Sequence, residues 1–140
     1  MEYTRYCNEE KPKIQTSYFA NIHKLKAQGI NTISISRKAP EWYTGAQYKA
    51  LAPNYWLLKQ YKDKTIDTEN YTNYFYTDVL DKLDPAIVWH DLTQLGSGEN
   101  IAILCYERPG EFCHRRIVAE WLESTLGVLV PEFTTKKNEK

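Results

Sequence analysis

Residues 31–36 read Asn-Thr-Ile-Ser-Ile-Ser, an alternation of polar and apolar positions that predicts a half-buried strand. Residues 100–105 contain Ile-Ala-Ile-Leu-Cys, an almost unbroken apolar run. Such a run predicts burial on both faces, as at the centre of a parallel sheet. Shorter strands are expected at 3–6 and 128–130. Helical spacing governs most of the rest. Residues 17–28 carry Phe19, Ile22, Leu25 and Ala27, with Gly29 as the stop. Between Lys38 and Ile66 the pattern is weak, punctuated by Pro40 and Pro53, and Tyr55-Trp56-Leu57-Leu58 opens a short helix. Residues 69–83 place Tyr71, Phe75 and Val79 four apart. Asp84-Pro85 pairs an N-cap with proline at the first helical position. Ile87, Val88, Leu92 and Leu95 follow as a buried stripe that ends at Gly96. Pro109-Gly110 marks a turn. Residues 113–126 form a last helix around Ile117, Val118, Trp121, Leu122 and Leu126, stopped by Gly127. Strands alternating with helices predict an α/β layered fold with a mainly parallel sheet.

The length of 140 residues fits a single domain, set here at 1–133, with a polar tail at 134–140. A chain of this size buries roughly two-thirds of its unfolded surface. No apolar run approaches the roughly 18 residues that a membrane span needs, and Met1 to Tyr6 hold no secretory h-region. No membrane partner is therefore expected. With three cysteines, a disulfide framework is not expected and a reducing cytoplasm is the default location. Eighteen basic and 18 acidic residues cancel, which argues against a duplex-DNA footprint over the whole surface. The aromatic content is high, at 14%. Tyr71, Tyr74, Phe75 and Tyr76 could stack bases, but their helical spacing reads better as core. Residues 42–53, with aromatics between two prolines, read as a packed lid.

Ligands of open parallel sheets bind beyond the carboxyl ends of the strands. The expected strands end at Cys7-Asn8, at Arg37 and at Cys105-Tyr106-Glu107. The last of these runs through a short loop into Cys113-His114-Arg115-Arg116 at a helix start. A helix start favours anions and a thiolate, and a guanidinium adds a fork for carboxylate or phosphate. No Walker loop is present. Structural readings stand beside these: Cys105 and Cys113 as buried core thiols, His114 as a cap, Glu107 as a solvated carboxylate. An ion-paired Arg115 or Arg116 would answer the penalty for a cation at a helix start. A metal on Cys7, Cys105, Cys113 and His114 fits none of the usual zinc spacings, so none is expected.

The segment from Cys105 through Glu107, Pro109 and Cys113-His114-Arg115 resembles the signature of the domain of unknown function 488 (DUF488) family, with the helix through Trp121 and Leu122 behind it. The Tyr3-Thr4 strand, the helix ending at Gly29-Ile30 and the strand leading to Arg37 and Pro40 follow the family's order. The resemblance runs over residues 3–131. It implies a small three-layer Rossmann-like domain of about four strands, from a bacterium or phage. Two positions depart: Ile35 stands where many members have an acid, and Cys7 lies near a position often held by glycine.

The resulting expectation is an enzyme for a small anionic ligand, a nucleotide or other phosphate-bearing compound. Cys105 or Cys113 would be the thiolate, and Glu107 and His114 would manage protons. Arg37 and Arg115 would hold the anion, with Cys7 as a further contact. No cofactor follows from the residues. The alternative is a non-catalytic protein that binds a nucleic-acid end or a protein partner.

Overall fold

A computed structural model of the chain describes residues 13–134. The strand expected at 3–6, and Cys7 with it, lies outside the described residues. Among the described residues, four strands form one all-parallel sheet: β1 (Ile14–Tyr18), β2 (Asn31–Ser34), β3 (Ala46–Gln47) and β4 (Ile101–Cys105), in the order β1-β4-β2-β3. Five α-helices accompany them: α1 (Ile22–Ala27), α2 (Tyr55–Lys62), α3 (Thr68–Asp78), α4 (Pro85–Leu95) and α5 (His114–Leu126).

β4 is fully buried along its length because both of its faces are covered. Its alternation divides the core. Ala102 and Leu104 face a smaller cluster with Phe19, Ile22 and Leu25 from the α1 side. Ile101 and Ile103 face a larger cluster with Phe75 of α3, Leu92 of α4 and Val118 and Leu122 of α5. Helices on both faces of the sheet make the three layers.

Three sequence-based expectations are corrected. Residues 17–28 are not one helix: Ser17 and Tyr18 close β1, a 3-10 turn spans Phe19–Asn21, and α1 begins only at Ile22. Pairing with β4, in the register Ile14↔Ile101 to Tyr18↔Cys105, holds the polar segment Ile-Gln-Thr-Ser-Tyr extended. Residues 128–130 are not a strand. The chain meets β1 later, where Thr16 N–H donates to Pro131 O at 2.9 Å and Phe133 N–H donates to Thr16 O at 2.7 Å. Residues 69–83 break at Val79, whose φ of −122° and ψ of −65° turn the chain into a 3-10 segment, Leu80–Lys82. The cap at Asp84 forms as expected, its Oδ1 accepting from Ala86 N–H at 2.9 Å. Gly127 ends α5 at φ +69°, where a side chain would be strained. Among the described residues, no helix is long and apolar enough to cross a membrane.

Candidate functional site

Parallel pairing puts the carboxyl ends of β2 and β4 side by side, with Ser34 opposite Leu104. Beyond that edge lies a cavity of about 450 Å³. Cys105, Cys113, His114 and Ser36 line its inner end. An aromatic wall of Tyr61, Tyr71 and Phe112 stands beside them, with ring centroids 5.2–5.3 Å apart. Arg37, Lys38, Tyr55, Lys62, Tyr106 and Glu107 are the exposed lining residues. Three cations against one carboxylate make this opening electropositive although the chain carries no net charge. The Arg37 guanidinium also stands over the Tyr55 ring, 5.6 Å from its centroid.

The inner end is nearly dry. Cys105, Cys113 and His114 are 1%, 4% and 8% exposed. The two sulfurs are joined in a disulfide. The free thiols expected from sequence are corrected to this extent, because the end of β4 and the N-cap of α5 converge. While the bond stands, neither sulfur can act as a nucleophile. Reduction would return a thiol at Cys113, where the helix start favours a thiolate, and one at Cys105, toward which Arg115 Nη1 donates at 3.4 Å.

His114 Nε2 lies 2.8 Å from the Ile35 carbonyl oxygen, which can only accept, so Nε2 carries the proton. Burial pushes its pKa down to about 4, against the upward pull of that hydrogen bond. The imidazole is therefore neutral at pH 7. It can accept at Nδ1 but holds no spare proton to give. Tyr71 is shifted upward by burial and by the nearby Glu107 carboxylate, so it faces the cavity protonated.

The structure does not bring Arg115 into the cavity. Its guanidinium is 1% exposed and forks onto Glu132, with Nε–Oε1 3.1 Å and Nη2–Oε2 2.9 Å. Nη1 donates to the Glu107 carbonyl at 2.7 Å, which fixes the loop after β4. Arg116 Nη1 donates to Thr16 Oγ1 and to Val130 O, both at 2.9 Å. Both guanidinium groups thus pin the C-terminal segment to the sheet edge. Glu132 keeps 22% exposure, so removing it from the Arg115 pair costs less than about 3–5 kcal/mol, the cost for a fully buried pair.

Sequence reasoning missed Ser36. It is 4% exposed, and among the described residues its Oγ is the one buried side-chain oxygen or nitrogen without a hydrogen-bond partner. The rule about strand carboxyl ends could have found it, since it immediately precedes Arg37. Tyr61 and Phe112 were missed as well, and Tyr71, weighed as a base-stacking residue, was read as core in preference. A tyrosine on the end of a helical stripe is the signal that was available. The departure at Ile35 has a visible reason: the side chain is fully buried in the larger core, where a carboxylate would have no water.

The family model described as the active DUF488-N3 subclade matches residues 19–126, well over half of the chain. The chain belongs to the DUF488 family. The matched span of this DUF488 domain takes in β2, β4, the loop after β4 and α5, and so every described residue that lines the cavity. Among curated proteins and solved structures, none matches the chain.

Proposed function

We propose that the cavity takes a small anionic ligand with a flat ring, of which a nucleotide is the type. We further propose that the chain is an enzyme that acts on it through Cys105 or Cys113 in the reduced state. The orphaned Ser36 hydroxyl carries this reading. A buried hydroxyl without a partner costs about 1–3 kcal/mol, and a ligand oxygen at the cavity's inner end would supply the missing partner. The aromatic wall suits a ring, and Arg37, Lys38 and Lys62 suit phosphate oxygens. Glu107 and His114 Nδ1 are the available proton acceptors. A second reading rests on Tyr55 and Trp56, both exposed, with ring centroids 5.3 Å apart. Rings beside an electropositive opening suit the end of a single-stranded nucleic acid.

Calorimetric titration separates these readings, with a nucleoside 5′-monophosphate, the free nucleoside and inorganic phosphate as separate arms. The monophosphate is expected to bind the wild type. Arg37→Ala should weaken it about tenfold or more, from loss of a charge-assisted hydrogen bond worth about 1.5–3 kcal/mol. Ser36→Ala should weaken it too, without lowering thermal stability. Silence in all three arms at millimolar ligand, or unchanged binding by Arg37→Ala, overturns the ligand assignment. Binding of an oligonucleotide but not the mononucleotide, with steep salt dependence, establishes the second reading in its place. The nucleophile is read separately. After reduction, Cys105 or Cys113 should be alkylated by iodoacetamide faster than free cysteine, and rates no faster for both remove it.

A further inference from the structure

We propose that the reduced chain holds a thiophilic divalent metal ion of the zinc type on Cys105 Sγ, Cys113 Sγ and His114 Nδ1, with its fourth coordination position open to the cavity. Spacing along the sequence speaks against such a site, since Cys105 and Cys113 are eight residues apart and His114 adjoins Cys113. The fold removes that objection. β4 ends at Cys105, and residues 106–112 bring the chain back to the start of α5. Cys113 is extended, with φ −155° and ψ 144°, while His114 is helical, so the backbone turns between them. Neighbouring side chains can then reach one point. One ligand atom from each of the three residues lies within 4.8 Å of the others.

The donor chemistry selects the ion. Two thiolates and an imidazole suit zinc and similar borderline-soft metals, and the trio contains no carboxylate that would favour calcium or magnesium. With Zn–S bonds of about 2.3 Å and tetrahedral angles, the two sulfurs stand roughly 3.8 Å apart. The Cα atoms of Cys105 and Cys113 are 7.4 Å apart, which leaves room for an ion between their sulfurs. The Nε2–H bond to Ile35 O is the arrangement that ligating histidines commonly use, with the other ring nitrogen left as the donor. The Arg115 charge beside Cys105 is already balanced by Glu132, so two thiolates can balance the ion. Three protein ligands facing a cavity of about 450 Å³ leave a position for water or a ligand oxygen, as in catalytic rather than structural zinc sites.

The disulfide and the metal exclude each other. A phosphine reductant and one water open the bond, giving two thiols and the phosphine oxide. Binding of the ion then releases the two thiol protons. Metal binding is measured without any nucleotide, so it stands or falls apart from nucleotide binding. While the ion is held, Cys105, Cys113 and His114 Nδ1 serve as its ligands, and the nucleophile and proton-acceptor roles belong to the reduced, metal-free chain.

The test is titration of the full chain with cobalt(II), after phosphine reduction and after oxidation, followed by absorption. The reduced wild type should take up one equivalent, with a sulfur-to-cobalt charge-transfer band and the intense visible bands of a tetrahedral site, and zinc should displace it. The oxidised chain should show neither band. Cys113→Ala replaces an N-cap that makes no side-chain cap hydrogen bond, so it should fold and lose most of the charge-transfer intensity. His114→Gln should keep sulfur coordination but bind more weakly. Absence of the charge-transfer band in the reduced wild type overturns the proposal, with no variant needed. A band of equal strength in the Cys105→Ala/Cys113→Ala double variant overturns it as well.

Discussion

At the scale of single residues, the groups that matter most are those the fold has removed from water. His114 is shifted down to about 4 by burial, whereas an unfolded histidine titrates near 6.5. Between those values the unfolded chain binds the extra proton and the folded chain does not. Stability therefore falls as pH drops from about 6.5 to about 4, by roughly 3 kcal/mol in all. Urea unfolding at pH 7 and pH 5 should show roughly 2 kcal/mol of that loss in the wild type and none of it in His114→Gln. His23 and His90 are present in both proteins and cancel from the comparison. An equal pH dependence in the two proteins would show that the imidazole is not held neutral. Arg115 teaches a different lesson. Its position at a helix start was legible in the sequence, but its direction was not, because Glu132, the carboxylate that claims it, lies 17 residues away in sequence.

Elements were legible where the local signal and the tertiary packing agree. β4 follows from its unbroken apolar run, and α5 from its stripe and Gly127. Asp84-Pro85 fixed the start of α4 to the residue. Replacing Asp84 by alanine leaves the Ala86 N–H without its cap and should cost about 1 kcal/mol in thermal or urea unfolding. No change would mean that water serves the helix start equally well. β1 was illegible because tertiary pairing overrides its composition. Thr16 and Ser17 are fully buried, yet both are polar, and only β4 beside them makes the segment a strand. The apolar triplet at 128–130 failed for the converse reason. Leu129 is 84% exposed, and the triplet finds no strand partner among the described residues.

At the scale of the molecule, the parallel sheet creates the candidate site. It sets the ends of β2 and β4 together, so that Arg37, Glu107 and the Cys105–Cys113–His114 group meet at one edge, as the rule for such sheets leads one to expect. The aromatic wall was hidden because Tyr61, Tyr71 and Phe112 come from α2, α3 and the loop before α5, and nothing local links them. We propose that edge as the ligand site for a nucleotide-like anion. Amide chemical-shift mapping on the full chain, with a nucleoside 5′-monophosphate added to millimolar concentration, tests it most directly. Saturable shifts should gather at Ser36, Arg37, Glu107, Cys113 and His114. Shifts confined to the opposite, amino-terminal edge of the sheet, or none at all, would contradict it.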